Sequence, residues 1–327
     1  MNKMEKKAQE AFSDCILQES MKRYGIEEGQ IRKLGGFESF VYEYEKGGKD
    51  YVLRISHSSH RSLDQIKGEI EWVNHLASNQ VSVSKAVPSK ENQFVETIPA
   101  DDNHFSVVSF EKAPGRPPGK EDWNDDLFRQ MGRMTGKMHA LAKEFQPEYR
   151  RPEWDEEMKA FGEKFLDFAE PTVAKQFQEL QEYPREFSKD PSEYGLIHAD
   201  FHRGNFFVEE GTITLFDFDD SQYSWLVEDI AMALFYAISP DCRNHEDLAF
   251  ARHFYDCYME GYHRENTLAS KWLQEIPYFL KRREVDVYLA VKGSIPNYKE
   301  LTGWAGEFMK DRQSKIEHDL PYVDILF

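Results

Sequence analysis

The sequence predicts an α+β protein in two parts, a small antiparallel sheet-rich region in residues 1–111 and a larger, mainly helical region in residues 112–327. Three observations predict it. Runs of β-forming residues alternate with glycine turns in the first part, as in Ile31-Arg32-Lys33-Leu34, Ser39-Phe40-Val41-Tyr42-Glu43-Tyr44-Glu45 and Tyr51-Val52-Leu53-Arg54-Ile55. Prolines and glycines cluster in Glu111-Lys112-Ala113-Pro114-Gly115-Arg116-Pro117-Pro118-Gly119, the clearest linker in the chain. Beyond it, apolar residues recur at helical spacing, and 327 residues suffice for two cores.

The elements follow in order. Ala8, Phe12, Cys15, Ile16 and Tyr24 predict one amphipathic helix over residues 5–24, ended by Gly25. Three strands follow, with Gly35-Gly36 and Lys46-Gly47-Gly48-Lys49 at the turns. Ile66, Ile70, Val73 and Leu76 form one stripe of a helix over residues 62–78, with Glu69 beside it. His104 to Phe110 reads as a strand. Leu127, Met131, Met134, Met138 and Leu141 mark a helix from Trp123 to about Phe145, and residues 146–190 read as charged, aromatic-rich helices. Phe206 to Glu209 and Thr212 to Phe216, joined at Glu210-Gly211, read as a hairpin. An apolar helix begins at Asp229, and aromatic stripes (Phe250, Phe254, Tyr258, Tyr262, then Trp272, Tyr278, Phe279, Tyr288) give two or three more helices. The end of the chain, Pro321 to Phe327, is apolar enough to dock.

The chemistry concentrates in His198-Ala199-Asp200-Phe201-His202-Arg203-Gly204-Asn205 and, after the hairpin, Phe216-Asp217-Phe218-Asp219-Asp220. An H-x-D-x-x-x-x-N run followed by D-F-x places one carboxylate where an acceptor hydroxyl needs it and two oxygen ligands where magnesium bridges nucleotide phosphates. Asp200 is the candidate for the first task, and Asn205 and Asp217 for the second, with Asp219 assisting from the same strand end. The hairpin would carry Asp217 back beside Asn205. His198, Asp200 and His202 also resemble part of a metal cluster, but a closed zinc site wants four ligands and no fourth is announced nearby.

On these two motifs, and on Asp229-Ile230-Ala231 after a short loop, the sequence resembles the aminoglycoside phosphotransferase and choline kinase family. The resemblance implies a protein-kinase-like, two-lobed fold, with a small antiparallel-sheet N-terminal lobe and a helical C-terminal lobe. It implies transfer of the γ-phosphoryl group of ATP or GTP, with Mg2+, to a hydroxyl. Gly35, Gly36 and Ser39 would cover the phosphates, although paired glycines also serve plain hairpin turns. Arg54 stands where kinases usually place a lysine on the third strand, and an arginine fork is not interchangeable with an ammonium. Glu69 would orient Arg54, unless it is a solvated helix charge. The backbone at Glu111 and Ala113 would meet the adenine edge. Two further departures and parallels stand out: Ala199 replaces the usual loop glycine, and Gly132, Gly136 and His139 match a recurrent G-x-x-x-G-x-x-H pattern, with His139 best read as a packed core histidine. Asp229 reads as a brace on the catalytic-loop backbone.

Composition bounds the rest. With 59 acidic residues against 41 basic, the formal charge of −18 repels nucleic-acid phosphates and anionic lipid, so neither nucleic acid nor membrane is an expected partner. It suits a small-molecule hydroxyl acceptor of cationic character such as an aminoglycoside, an amino alcohol or a homoserine-like metabolite, and is equally a solubilising surface. Cys15, Cys242 and Cys257 are odd in number and scattered, which predicts neither a disulfide framework nor zinc spacing. The N-terminus lacks the apolar core of a signal peptide, and no apolar run reaches membrane-spanning length, so a cytoplasmic protein is expected. Two other readings remain open: a bacterial Ser/Thr protein kinase, and a catalytically silent nucleotide-binding protein.

Overall fold

The computed structural model describes residues 6–36, 38–238 and 245–324. The chain divides into two units. The first comprises Met1–Gly115, Gln146–Arg151 and Thr214–Asp219, and the second Arg116–Phe145, Pro152–Ile213 and Asp220–Phe327.

The first unit opens with two helices where the periodicity predicts one, α1 (Lys6–Ala11) and α2 (Asp14–Tyr24). Ser13 is the reason. It holds an extended backbone, φ −133° and ψ 165°, which breaks the helix, and its carbonyl oxygen accepts from the Ile16 and Leu17 amides to begin the next one, its hydroxyl making no cap bond. Gly25 ends α2 in the left-handed region, φ 67°, its amide bonded back to the last turn. The sheet is antiparallel throughout. Along the chain come β1 (Ile31–Gly35), β2 (Phe40–Lys46), β3 (Lys49–His57), α3 (Leu63–Ser78), β4 (Ala86–Val87), β5 (Glu96–Ala100) and β6 (Asn103–Glu111). The strand order is β1-β2-β3-β6-β4, with β5 also on β6. The sequence did not announce β4 or β5: one is two residues long, and the other carries Pro99, which lowers its strand signal.

One face of this sheet packs on α2. Tyr24, Phe40, Tyr42, Leu53, Ile55, Phe105 and Val107 are buried together, each large apolar side chain contributing roughly 1.5–3 kcal/mol relative to exposure. The other face receives α3 through Ile66 and Ile70, which pack with Ala86 and Val108. Ser62 starts α3 with a capping box shared with Gln65. Gly68 on α3 is required by close approach, since a Cβ there would stand 2.5 Å from the Tyr149 carbonyl oxygen. The segment 146–151 therefore lies directly on α3, and Glu71 accepts from its Glu148 and Tyr149 amides at 3.0 and 3.1 Å.

The second unit begins with α4 (Asp125–Ala142), N-capped by the Asn124 side chain, then α5 (Trp154–Phe165) and α6 (Pro171–Glu182). Next come β7 (Tyr194–Ile197), the hairpin strands β8 (Phe206–Glu209) and β9 (Thr212–Leu215), the last two residues of β9 counting to the first unit, and β10 (Gln222–Trp225), which pairs antiparallel with β7. The helices α7 (Val227–Ala237), α8 (His245–Tyr262), α9 (Ser270–Leu273), α10 (Ile276–Ser294), α11 (Gly303–Met309) and α12 (Arg312–Glu317) complete it. The predicted apolar helix at Asp229 is α7, buried on nearly every residue. The two pattern glycines of α4 let α8 touch it: a Cβ on Gly132 would stand 1.8 Å from the Tyr258 carbonyl oxygen, and one on Gly136 2.6 Å from that of Tyr262. Of the C-terminal segment expected to dock, Tyr322 and Val323 are buried and Tyr322 stacks on Phe235, whereas Ile325 to Phe327 lie outside the described residues, as does Cys242. Among the described residues no helix is long and apolar enough to cross a membrane.

Candidate active site

In the second unit β7 delivers the H-x-D-x-x-x-x-N loop, and its backbone is fixed by one carboxylate. Asp229, fully buried, accepts from the Ala199 amide on Oδ1 at 2.7 Å and from the His198 amide on Oδ2 at 3.0 Å. His139, also fully buried, stands 3.1 Å from the same Oδ2 through Nε2, with its Nδ1 3.0 Å from the Tyr262 hydroxyl. The brace expected of Asp229 and the packed histidine expected at 139 are thus one network. Burial pushes the Asp229 carboxyl up, but the His139 bond and the neighbouring histidines outweigh it and hold the group below its ordinary value.

Ala199 carries φ +64°. An L side chain in this left-handed region costs roughly 1–2 kcal/mol. Ala199→Gly relieves that strain and loses some unfolded-state economy, so it should stabilise the protein by about 0.5–1 kcal/mol in urea unfolding. A destabilised variant would show that the Ala199 methyl contributes packing that exceeds the strain.

Asp200 is held on every side. Asn205 Nδ2 donates to its carbonyl oxygen at 2.9 Å and to its Oδ2 at 2.8 Å. Arg283 of α10 donates to Oδ1 at 2.8 Å and, from the same nitrogen, to the Tyr236 hydroxyl at 2.7 Å. His202 Nε2 lies 3.3 Å from Oδ2, and its ring packs on Tyr236. Burial raises the Asp200 carboxyl, but the His202 bond and the Arg283 charge prevail and leave it below the usual carboxylate range. The bonds from Asn205 Nδ2 also orient the amide. Its Oδ1, a hard oxygen donor of the kind that suits magnesium or calcium, has no hydrogen bond among the described residues.

In the first unit Arg54 and Glu69 form a two-pronged pair, NH1 to Oε1 at 2.9 Å and NH2 to Oε2, both side chains buried. The guanidinium also lies over the Phe110 ring, 5.2 Å from its centroid. The carboxylate predicted to orient Arg54 is therefore in contact with it. Burial works against the Arg54 charge, while Glu69, Asp219 and Asp217 reinforce it. Asp217 has φ +65°, a backbone state that non-glycine residues adopt rarely. Asp219 is surrounded by basic groups: His60 Nε2 at 2.6 Å, Arg61 at 3.5 Å and Arg54 at 3.8 Å. Burial raises its carboxyl, but His60 and the two arginines hold it well below the ordinary value.

At the glycine turn, Gly36 has φ +124°, and a Cβ would meet the Ser39 carbonyl oxygen at 1.9 Å. Only glycine fits there. The Ser39 hydroxyl hydrogen-bonds that of Ser56 at 2.7 Å. Gly35 has φ +130° with open space about its Cβ position. At the other end of the sheet the Glu111 amide donates to the Lys85 carbonyl at 2.9 Å and the Lys112 amide to that of Asp50, with Ala113 buried beside them.

Arg283, Tyr236, His60 and Arg61 were not among the predicted site residues. Lys281-Arg282-Arg283-Glu284 has the letters of a solvated helix face, and Arg283 reaches Asp200 across 83 positions of sequence, a distance that periodicity cannot span.

A model of the phosphotransferase enzyme family matches residues 30–267. The chain belongs to that family. The amicoumacin kinase of Bacillus subtilis (strain 168) is 39% identical to this phosphotransferase over 278 residues, 84% of this chain and 83% of its own. A solved amicoumacin kinase, hAmiN in complex with AMP-PNP, Ca2+ and Ami, superposes with a TM-score of 0.90 and 32% identity over 98% of both chains. A microcompartment-associated aminopropanol kinase shares the fold at a TM-score of 0.74 and 23% identity, over 94% of this chain and 98% of that one. The phosphotransferase is thus a kinase-class enzyme with the kinase-like α+β fold expected from its two motifs.

Proposed function

We propose that this phosphotransferase moves the γ-phosphoryl group of ATP (or GTP) to a hydroxyl of a small polar molecule of the amicoumacin kind. The observation that carries the reading is Asp200, a half-buried carboxylate whose two oxygens are aimed by Asn205 and Arg283, in a chain 39% identical to an amicoumacin kinase. An acceptor hydroxyl would donate to Asp200 in place of Arg283. Because the carboxyl is held below its usual range, Asp200 orients the hydroxyl and takes its proton only as the bond to phosphorus forms.

Asn205, through Oδ1, and Asp217 would hold a divalent cation, Mg2+ in this reading, which when bound neutralises charge on the β- and γ-phosphates. Arg54, kept in place by Glu69, would meet the α- and β-phosphates; Gly35, Gly36 and Ser39 would cover them. The Glu111 and Ala113 backbone would meet the adenine edge. Asp219, 2.6 Å from His60 Nε2 and within 4 Å of Arg61 and Arg54, would assist the cation from the same strand end as Asp217.

The acceptor end supports a polar, amine-bearing molecule. Burial pushes the Asp286 carboxyl to about 6, and its Oδ1 and Arg283 Nε are buried with no hydrogen-bond partner among the described residues. A ligand with both donors and acceptors would satisfy them.

The test is a panel of amicoumacin, aminopropanol, aminoglycosides and homoserine with Mg-ATP or Mg-GTP, read as ADP or GDP release and product mass. The expected result is nucleotide turnover that depends on one acceptor class, with a product heavier by one phosphoryl group. Label from γ-labelled ATP appearing only in protein bands of an extract would establish the protein-kinase reading instead. Tight nucleotide binding without turnover on any acceptor would establish the silent one.

A further inference from the structure

At the start of α4, three donors of different chemistry converge on one point. Asp125, in the first turn of α4, places Oδ1 2.7 Å from Nε2 of His253. Cys257, one turn along α8 from His253, places Sγ 3.9 Å from the same nitrogen. All three donor atoms lie within 4.8 Å of one another.

That both groups address the same nitrogen decides between the chemistries open to cysteine, histidine and aspartate. A nucleophilic relay needs the thiol on one ring nitrogen and the carboxylate on the other, so that the ring gains a proton on one side while it is steadied on the other. Here both stand on Nε2. Cys257 is buried, and burial together with the Asp125 carboxylate pushes its thiol up, whereas a nucleophile needs a depressed one. A plain ion pair would account for Asp125 and His253 but not for the sulfur. A tetrahedral zinc ion, with bonds of about 2.0–2.3 Å, spaces its donors roughly 3.3–3.6 Å apart. Small side-chain rotations would close the Nε2–Sγ gap and open the Nε2–Oδ1 gap to that value.

The scaffold is rigid where this matters. A Cβ on Gly261 of α8 would stand 1.9 Å from the Arg129 carbonyl oxygen, so the two helix backbones touch one turn from the cluster. Arg129 stands 3.8 Å from Asp125 Oδ2, and its charge is met by Glu260 at 2.6 Å. His253 is exposed, which leaves water free to complete a fourth position.

We infer that Asp125, His253 and Cys257 form a binding site for a borderline divalent cation such as Zn2+, which fastens the first turn of α4 to α8. The soft sulfur and imidazole donors set it apart from the all-oxygen donors proposed to hold the nucleotide's cation. Binding releases to solvent the thiol proton and any proton on Nε2.

The test uses the full chain carrying Cys15→Ser and Cys242→Ser, so that Cys257 is the remaining thiol. Titration with Co2+ should give a thiolate-to-cobalt charge-transfer band and tetrahedral d–d absorption that saturate at one equivalent. One equivalent of Zn2+ should remove both, and excess Mg2+ should leave them unchanged. The bands should be lost in Cys257→Ser and in His253→Gln; the second substitution is at an exposed position, so circular dichroism can confirm that it folds. Absence of the charge-transfer band at stoichiometric Co2+, or its survival in folded His253→Gln, overturns the assignment. Neither outcome depends on kinase activity, so it fails or stands apart from the proposed reaction.

Discussion

Asp200→Asn should lower kcat by roughly 10²–10⁴ while leaving the KM for nucleotide within about threefold. The replacement keeps the shape of the side chain and removes its charge. Arg283 then faces a neutral amide where it had a carboxylate at 2.8 Å, and an acceptor hydroxyl loses both its orienting partner and the eventual home of its proton. Because His202 and Arg283 hold the wild-type carboxyl below its ordinary value against the effect of burial, kcat should show no inflection from this group between about pH 5 and 7. A general base tuned upward would instead titrate inside that window. Steady-state kinetics across acceptor and nucleotide concentrations, with circular dichroism as the fold control, separates these outcomes. A variant with wild-type kcat, or one that loses only nucleotide affinity, would remove Asp200 from the acceptor step.

What the sequence made legible follows the range of the interactions concerned. Strands β1 to β3, α3, α4 and the hairpin were readable because each is written in local periodicity and turn glycines. Glu69 could be paired with Arg54 because the strand and helix that carry them are adjacent and fifteen residues apart. The break between α1 and α2 was also local, but the apolar spacing runs across the extended backbone at Ser13 and conceals it. Arg283, His60 and Arg61 could not be found in this way. They act as counter-charges to carboxylates far away in the chain, 159 positions in the case of His60 and Asp219, and nothing in a basic residue's neighbours tells whether it will face water or a buried acid. Likewise Asp125, His253 and Cys257 come from helices 128 positions apart, so the i, i+4 pair on α8 carried no zinc pattern until α4 was placed against it.

Asp229→Asn should cost about 2–4 kcal/mol of stability and lower kcat with it, an effect far larger than its distance from the acceptor hydroxyl would suggest. Oδ1 accepts from the Ala199 amide, and Oδ2 accepts from the His198 amide and faces His139 Nε2. An asparagine has one oxygen, so in either orientation its NH2 group confronts a backbone N–H that has nowhere else to turn. Leaving buried donors opposed costs about 1–3 kcal/mol each, and breaking a buried charged contact adds to it. The catalytic loop then loses the anchor that holds Ala199 in its left-handed state, directly before Asp200. The acid limb gives an independent check. Burial raises the Asp229 carboxyl, but its bonds to His139 and the loop amide lower it more. A carboxylate depressed in the folded state stabilises fully above its unfolded value, near 3.9, and that stabilisation is lost as pH falls through the lower folded value. The gap in unfolding free energy between wild type and Asp229→Asn should therefore be widest near neutrality and narrow below about pH 4, as the wild-type carboxylate gains a proton. Urea unfolding at stepped pH measures it. A gap that stays constant into acid would mean that the Asp229 charge contributes nothing and that shape alone holds the loop.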